Sequence, residues 1–181
     1  MEKPSGKQKN GTNMKHHEIL NNFEYVDGIL YCKKSRGKLK VGDVVGTYDD
    51  GYFYVGFNYK RYLSHRIIFM MFHGYMPKIV DHIDGNPSNN KIENLRESTQ
   101  QQNCFNSKLS KANKSGVKGV NWHKLRNKWK VEIRVNGIKK HFGLFQDLEL
   151  AELVANEARS KFHKEFANNG TLSSNRRQGN M

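Results

Sequence analysis

The sequence predicts an α+β fold in which three regions follow one another along 181 residues. First, short apolar stretches separated by Gly and Asp turn signals over 25–63 predict a small β-rich region. Next, 79–109 has the pattern of strand, long Gly- and Asn-rich loop, strand and helix. Last, three strand patterns over 116–145, followed by an amphipathic segment, predict a three-stranded sheet backed by one helix.

The β-rich region is expected to end in a short buried helix. Strands are predicted at 28–31, 44–48 and 52–57. The turn residues at 49–51 predict a hairpin between the last two strands. Ser64 is expected to cap a helix over 65–73 that Gly74 ends. Its Ile, Phe and Met side chains leave no polar face, so we expect this helix to be buried.

The middle region carries the densest turn signal of the chain, from Asp84 to Asn90. Strands are predicted on either side of it, at 79–82 and 95–98. Thr99 and Gln102 have the spacing of a capping box, so a helix that carries Asn103 is expected to begin there.

The last region is predicted to expose a charged sheet face. Strands are expected at 116–122, 129–135 and 138–145, and the Asn-Gly pair at 136–137 predicts a type I′ hairpin. Apolar residues alternate with charged ones along the middle strand, so one face is apolar. Asp147 is expected to cap a helix that covers this face. The residues of its apolar stripe are Ala151, Val154, Ala155, Ala158, Phe162 and Phe166.

These regions give the expected domain organisation. We expect a disordered basic N-terminus at 1–17 and a first domain, with its β-rich region, at 18–110. The chain is expected to continue with a linker at 111–115, a sheet-and-helix domain at 116–168 and a polar tail at 169–181.

The charge of the chain indicates a polyanionic partner. Thirty-one Lys and Arg against seventeen Asp and Glu give a formal net charge of +14. Nine basic residues and one acid, Glu132, lie between Lys114 and Phe145, so basic charge is concentrated on the predicted sheet. The longest apolar run is six residues, 67–72, against the roughly 20 that a membrane span needs. The N-terminus also lacks the apolar stretch of a secretory signal.

Four polar residues of the middle region have the chemistry of phosphodiester hydrolysis: Asp81, His82, Asn94 and Asn103. Carboxylate and amide oxygens suit a hard divalent cation. A histidine suits the general base that deprotonates the attacking water. With two cysteines, Cys32 and Cys104, the chain has neither a disulfide framework nor a C-x-x-C zinc motif.

The segment 80–103, VDHIDGNPSNNKIENLRESTQQQN, resembles the motif of phage HNH homing endonucleases. The preceding His65-Arg66-Ile67-Ile68 resembles the His-Arg-Leu helix that stands before that motif. The resemblance implies a ββα-metal fold and a metal-dependent, site-specific DNA endonuclease. In it His82 is the general base, Asn94 bridges the loop and orients that base, and Asp81 and Asn103 hold one divalent cation.

The same resemblance implies the surroundings of the reaction. The cation is expected to be Mg²⁺, with Mn²⁺ as the alternative, and the partner is double-stranded DNA. The expected place of action is the cytoplasm of a bacterial host. One site in one chain favours nicking by a monomer, and a dimer stays open.

Segment 115–167 resembles the plant ethylene-response-factor (Apetala-two type) DNA-binding domain, through SGVKGV at 115–120, KWKVEIR at 128–134 and FGLF at 142–145. The resemblance implies a sheet that lies in the major groove. Arg126 and Arg134 are the best candidates for base readout, because arginine binds guanine in a bidentate manner. The predicted DNA-contacting residues are Arg66, Lys118, Asn121, Trp122, His123, Lys124, Arg126, Lys128, Lys130, Arg134, Lys139 and His141.

Two other functions compete with this interpretation. A non-catalytic, sequence-specific DNA-binding regulator could use the same basic sheet, and a structural-zinc interaction module is a third hypothesis. The complete set of Asp81, His82, Asn94 and Asn103 favours the endonuclease.

Overall fold

The computed structural model of the chain describes residues 14–110 and 112–169. The chain divides into two compact units, with the boundary between Glu97 and Ser98. Most of the expected N-terminal disorder, and of the expected polar tail, lies outside the described residues. Residues 14–17 are described: Met14 is buried and the first helix begins at His16, so they are part of the first unit.

From residue 14 onwards, the first unit has several small sheets and two α-helices. Its elements are α1 (His16–Asn22), β1 (Phe23–Val26), β2 (Ile29–Cys32), β3 (Thr47–Asp49), β4 (Tyr52–Phe57), β5 (Lys60–Leu63), α2 (Ser64–His73), β6 (Ile79–His82) and β7 (Leu95–Ser98), which crosses the boundary at its last residue. The strands β1 and β2 form a hairpin, β3, β4 and β5 form an antiparallel sheet, and β6 pairs with β7. The predicted mixture of helices and strands is confirmed.

The hairpin predicted at 49–51 is confirmed. Asp49 lies opposite Tyr52, and the two turn residues, Asp50 and Gly51, have φ of 45° and 84°. Positive φ at both positions is the geometry of a type I′ turn, which matches the twist of the strands. The strand expected at 44–48 begins only at Thr47.

The helix α2 differs from the prediction at its start. Its first residue is Ser64, its N-cap is Leu63, and no side chain caps it. Ser64 Oγ is buried without a hydrogen-bond partner among the described residues, so the predicted cap is wrong. Gly74 ends the helix with φ of 76°, as expected. The helix is not buried all round, because Phe72 is 53% exposed.

The helix α2 lies in the hydrophobic core of the first unit. Its Ile67, Ile68 and Phe69 are almost fully buried. They share one cluster with Val80 of β6 and Leu95 of β7. The two strands that carry the candidate site are therefore anchored by apolar packing on one side.

In its described residues, the second unit has a three-stranded sheet and two α-helices. Its elements are α3 (Gln100–Asn106), β8 (Val120–His123), β9 (Lys128–Val135), β10 (Ile138–Phe145) and α4 (Leu148–His163). The sheet is antiparallel in the order β10-β9-β8. Val135 lies opposite Ile138, and Asn136 and Gly137 have φ of 51° and 79°, so the predicted type I′ hairpin is confirmed.

The helix α4 covers the apolar face of the sheet. Asp147 Oδ1 accepts hydrogen bonds from the backbone of Glu149 and Leu150, which confirms the predicted cap. Ala151, Ala155 and Ala158 are buried in one cluster with the inward-facing residues of β9. No described helix combines the length and hydrophobicity needed to cross a lipid bilayer.

Two segments precede β8, one predicted as a helix and one predicted as a linker. Thr99 and Gln102 form the predicted capping box at the start of α3, and this helix belongs to the second unit. Ser115, which lies in the predicted linker, is buried, and its Oγ is 2.7 Å from the Val120 carbonyl oxygen. The first strand of the sheet consequently begins at Val120 rather than at 116.

Candidate functional site

The strand β6 ends with two adjacent buried polar residues. Asp81 is 5% exposed and His82 is 6% exposed. Successive side chains of a strand point to opposite faces, so the carboxylate and the imidazole lie on different sides of β6. Both groups are polar and poorly hydrated, which requires hydrogen-bond partners within the protein.

Arg96 of β7 binds the Asp81 carboxylate. Its Nε and Nη2 lie 3.0 and 2.9 Å from Asp81 Oδ2. The two side chains are 15% and 6% exposed, so this ion pair is largely shielded from water. Arg96 is not among the site residues predicted from the sequence. Its position on the strand that follows the loop is the pattern that could have indicated a pairing with Asp81.

Asn90 orients the imidazole of His82. Its Oδ1 lies 2.9 Å from His82 Nε2, and Asn90 is 4% exposed. An amide oxygen only accepts hydrogen bonds, so the proton of the neutral ring resides on Nε2 and the lone pair on Nδ1. This tautomer is suited to a general base at Nδ1. Sequence reasoning missed Asn90, because nothing in an Asn-rich loop distinguishes the buried asparagine.

Two further rings surround His82 in the first unit. The His65 ring lies edge-on, with 4.8 Å between ring centroids, and the Tyr52 ring lies at 6.4 Å. Burial of His65, together with the nearby His82 and Arg66, lowers the pKa of His65 to about 3. His65 is therefore neutral near pH 7 and packs against His82 without adding charge.

Asn94 closes the loop that follows β6. Its Nδ2 donates to Asp84 Oδ1 at 2.9 Å and to the Asn89 carbonyl at 2.8 Å, and its Oδ1 accepts from the Asp84 backbone at 3.0 Å. The side chain thus ties both ends of the loop together. Because Asn90 belongs to this loop, Asn94 stabilises the segment that orients His82.

Asp84 is the acceptor at the centre of the loop. Its partial burial would raise its pKa, but hydrogen bonds from Asn89, the Asn86 backbone and Asn94, with His82 nearby, hold the pKa of Asp84 below its ordinary value. Asp84 is thus an ionised anchor for the turn, consistent with its turn-forming sequence.

The remaining predicted residues of the motif lie on α2 and α3. Asn103 is half-buried on α3 in the second unit, one turn after Thr99. Arg66 of α2 donates from Nη1 to the Lys78 carbonyl at 3.1 Å and from Nη2 to the Pro77 carbonyl at 3.0 Å. Its guanidinium holds the segment that leads into β6, and its contact with phosphate stays a prediction.

The donors for a metal ion are few. Within 14–110 and 112–169, no group of three or more His, Cys, Asp or Glu side chains is arranged to hold one. Mg²⁺ commonly uses one or two protein carboxylates and takes its other ligands from water and substrate phosphates. The buried carboxylate of Asp81 is the kind of hard oxygen donor that fits such a partly open site.

One face of the β8–β10 sheet gathers most of the predicted DNA-contacting residues. Val131 and Ile133 of β9 point towards α4, so the residues between them point away from it. The strand register adds their cross-strand partners on β8 and β10. The residues of this surface, which we call the basic face, are Asn121, His123, Lys128, Lys130, Arg134, Lys139 and His141.

Glu132 also lies on the basic face. Its Oε2 is 2.9 Å from Lys130 Nζ, and it lies opposite His141. The pKa of Glu132 is lowered, mainly by the hydrogen bond from Lys130 and also by the nearby Lys139 and His141. Burial acts in the opposite direction but is outweighed. The acid stays ionised and reduces the positive charge in the middle of this surface.

Other predicted contacts lie off the basic face. Trp122 is opposite Trp129 and shares its side of the sheet, with 4.9 Å between the ring centroids. Lys124 and Arg126 are exposed in the turn between β8 and β9. The ammonium of Lys118 is half-buried and donates to main-chain carbonyls of its own unit, so we leave Lys118 out of the proposed DNA surface.

Comparison with known proteins gives matches to nucleases and viral proteins. A family model described as HNH endonuclease matches residues 62–104. Protein 3.8 of Escherichia phage T7 is 37% identical over 113 residues, which make up 60% of this chain and 91% of that protein. Uncharacterized HNH endonuclease L560 of Acanthamoeba polyphaga mimivirus is 34% identical over 116 residues, 62% of this chain and 59% of that one. No solved structure gives a significant match.

Proposed function

We propose that this chain, whose residues 62–104 match the HNH endonuclease family, is a divalent-metal-dependent, site-specific DNA endonuclease of the phage homing type. The observation that carries the proposal is the buried His82, held by Asn90 in the tautomer of a general base, next to the buried carboxylate of Asp81. Both lie within the segment that matches the family.

The residues suggest a hydrolytic mechanism. His82 Nδ1 accepts a proton from water, and the resulting hydroxide attacks the scissile phosphate. The bond from phosphorus to the departing 3′ oxygen breaks as the new P–O bond forms. Asn90 and the loop closed by Asn94 hold the imidazole in the orientation that this proton transfer requires.

The family motif assigns the metal to Asp81 and Asn103. A divalent cation bound there, Mg²⁺ or Mn²⁺, supplies positive charge for the phosphate and the leaving oxygen. For Asp81 the support is its burial and its acceptor chemistry, and for Asn103 it is the order of residues in the motif. Arg96 supplies a fixed positive charge at the same carboxylate, 2.9 Å from its Oδ2.

We propose that the second unit recognises DNA through the basic face, in the manner of the ethylene-response-factor domain that its sequence resembles. Lysines there would bind phosphates as point charges, and Arg134 would read a base. The support is the gathering of seven predicted contacts on one side of the sheet. The proposed setting is a monomer that nicks double-stranded DNA in the cytoplasm of a bacterial host.

A supercoiled-plasmid assay tests the nuclease against a non-catalytic DNA-binding regulator. The wild-type protein should convert plasmid carrying its site to open circles with Mg²⁺ and should leave it intact with EDTA. His82→Ala should slow nicking about 100- to 10,000-fold, the usual share of a general base, while DNA affinity in a mobility-shift assay stays unchanged. His17→Ala, on the exposed side of α1, is the matched control.

Three results would decide otherwise. Undiminished nicking by His82→Ala contradicts the mechanism. If the wild-type protein binds a selected site tightly but does not cut it with any added divalent cation, it is a non-catalytic DNA-binding regulator. Cleavage that persists in EDTA contradicts the metal requirement.

A further inference from the structure

The helix α3 is too short to be stable on its own. It has seven residues, whereas isolated helices below about 12–15 residues are marginal in water. Its start is secured locally, because Thr99 Oγ1 accepts from the Gln102 backbone at 3.2 Å and Gln102 Oε1 accepts from the Thr99 backbone at 2.8 Å. Its end needs other partners, since the last carbonyls of a helix have no donors within it.

Donors from the rest of the second unit satisfy those carbonyls. Lys118 Nζ lies 2.8 Å from the Phe105 carbonyl oxygen and also donates to the carbonyl of Ser107. Asn168 Nδ2, from the segment after α4, donates to the Asn106 carbonyl at 2.8 Å. The same lysine lies 3.5 Å from the Asn168 carbonyl, so both donors form one cap.

An aromatic stack adds to this cap. The Phe105 ring lies flat on the His163 ring, with 3.6 Å between centroids and 6° between planes. His163 is buried near the end of α4, and its Nε2 donates to the Arg134 carbonyl at 2.8 Å. The chain of contacts therefore runs from α3 through His163 to β9, the central strand of the basic face.

Lys118 is itself fixed by a buried arginine. Arg159 is 2% exposed and donates to the Lys118 carbonyl from Nη1 and to Asn169 Oδ1 from Nε at 3.0 Å. An ammonium group has three donors, which match the three carbonyls around Lys118 Nζ. Burial and the Arg159 charge lower the pKa of Lys118 to about 8, a cost that a lysine facing solvent and phosphate does not bear.

We propose that Lys118, Phe105, His163 and Asn168 are positioning residues that hold α3 and with it Asn103. This inference rests on the proposed role of Asn103 as a metal ligand. It gives Lys118 a role different from the DNA contact that the sequence predicts.

A pair of lysine variants separates the two roles. Lys118→Met keeps the aliphatic chain and removes the ammonium, and Lys139→Met does the same on the basic face. We expect Lys118→Met to raise the Mg²⁺ concentration for half-maximal nicking about 10-fold or more, with DNA affinity within about twofold. Lys139→Met should weaken DNA binding and leave the Mg²⁺ requirement unchanged. A Lys118→Met protein that behaves like Lys139→Met overturns the proposal.

Hydrogen exchange of the full-length protein provides a readout that does not depend on nicking. Lys118→Met and His163→Ala should speed exchange of the α3 amides, 103–106, by about 10-fold or more, and His163→Phe, which keeps the stack, should change it less. If α3 amide exchange is unchanged in both Lys118→Met and His163→Ala, the proposed positioning of α3 by these residues is refuted, even if the wild type never cuts DNA. If these variants exchange faster but the wild type has no nuclease activity, the positioning of α3 is supported and only the proposed function is refuted. Melting curves of each variant check that the remaining fold is intact.

Discussion

The Nε2 atom of His82 lies 2.9 Å from Oδ1 of Asn90, and both side chains are almost fully buried. The contact joins the proposed base to the Asn-rich loop, at a residue eight positions further along the chain. A buried imidazole with one nitrogen held by an amide oxygen has a defined tautomer and a defined ring orientation. The loop is therefore a part of the proposed site rather than a simple connection between two strands.

Asn90→Ala should slow nicking about tenfold or more, and by less than His82→Ala, because it removes orientation but not the base. DNA affinity should stay unchanged, so the loss appears in the single-turnover rate. Asn86→Ala, an exposed position in the same loop, is the control. A single-turnover rate equal to that of wild type would contradict the orienting role of Asn90.

Arg96→Met should lower the free energy of unfolding by about 3 kcal/mol, because it removes the positive partner of the buried Asp81 carboxylate. Denaturant unfolding measures this loss. Arg61→Met removes an ion pair of 2.6 Å whose side chains are 52% and 56% exposed, and should cost about 1 kcal/mol or less.

The same variant reports on the metal. If Asp81 binds a divalent cation, added Mg²⁺ should raise the melting temperature of Arg96→Met more than that of the wild type, because the ion replaces the lost positive charge. Equal shifts in the two proteins would argue against Asp81 as a ligand.

Arg134→Lys should separate base reading from phosphate binding on the basic face. The charge is kept, so the slope of log affinity against log salt concentration should stay the same. The bidentate contact is lost, which should reduce discrimination at one base pair by about 1–3 kcal/mol. Binding selection from random DNA, followed by salt titration on the selected site, measures both. An unchanged sequence preference together with an unchanged salt slope would make Arg134 a phosphate contact.

His65 should make the first unit sensitive to acid. Its pKa is about 3 in the folded protein, against 6.5 for a histidine in an unfolded chain, so below about pH 6.5 the unfolded chain binds a proton that the folded chain does not. The free energy of unfolding should consequently fall as the pH drops from about 6.5 towards 3, by up to about 1.4 kcal/mol per pH unit.

Denaturant unfolding of His65→Gln at about pH 7.5 and 5.5 tests this linkage. The stability difference between the wild type and the variant should shift by about 1 kcal/mol in favour of the variant at the lower pH. His17→Gln, at an exposed position, should show no such shift. A wild type whose relative stability is the same at both pH values would show that His65 protonates freely in the fold.

Local features of this protein were predictable because they depend on neighbouring residues. Asn136 and Gly137 adopt the positive φ that a type I′ turn demands, and Thr99 and Gln102 cap α3 across three positions. Alternation along β9 likewise determines which side chains face α4. The cap at Ser64 failed because the backbone enters α2 one residue earlier, and the hydroxyl became buried.

The sequence by itself determined which functional groups are present and on which local elements they lie. These are Asp81 and His82 at the end of a strand, an Asn-rich loop, Asn103 on a capped helix, and a strand with one charged face. Only the tertiary structure decided how those groups are held. Arg96 reaches Asp81 across 15 positions, and Phe105 stacks on a histidine near the end of α4. Such partners depend on how strands pair and helices pack, which no local pattern encodes. For the same reason Lys118, basic in sequence like its neighbours, turns inward to bind carbonyls.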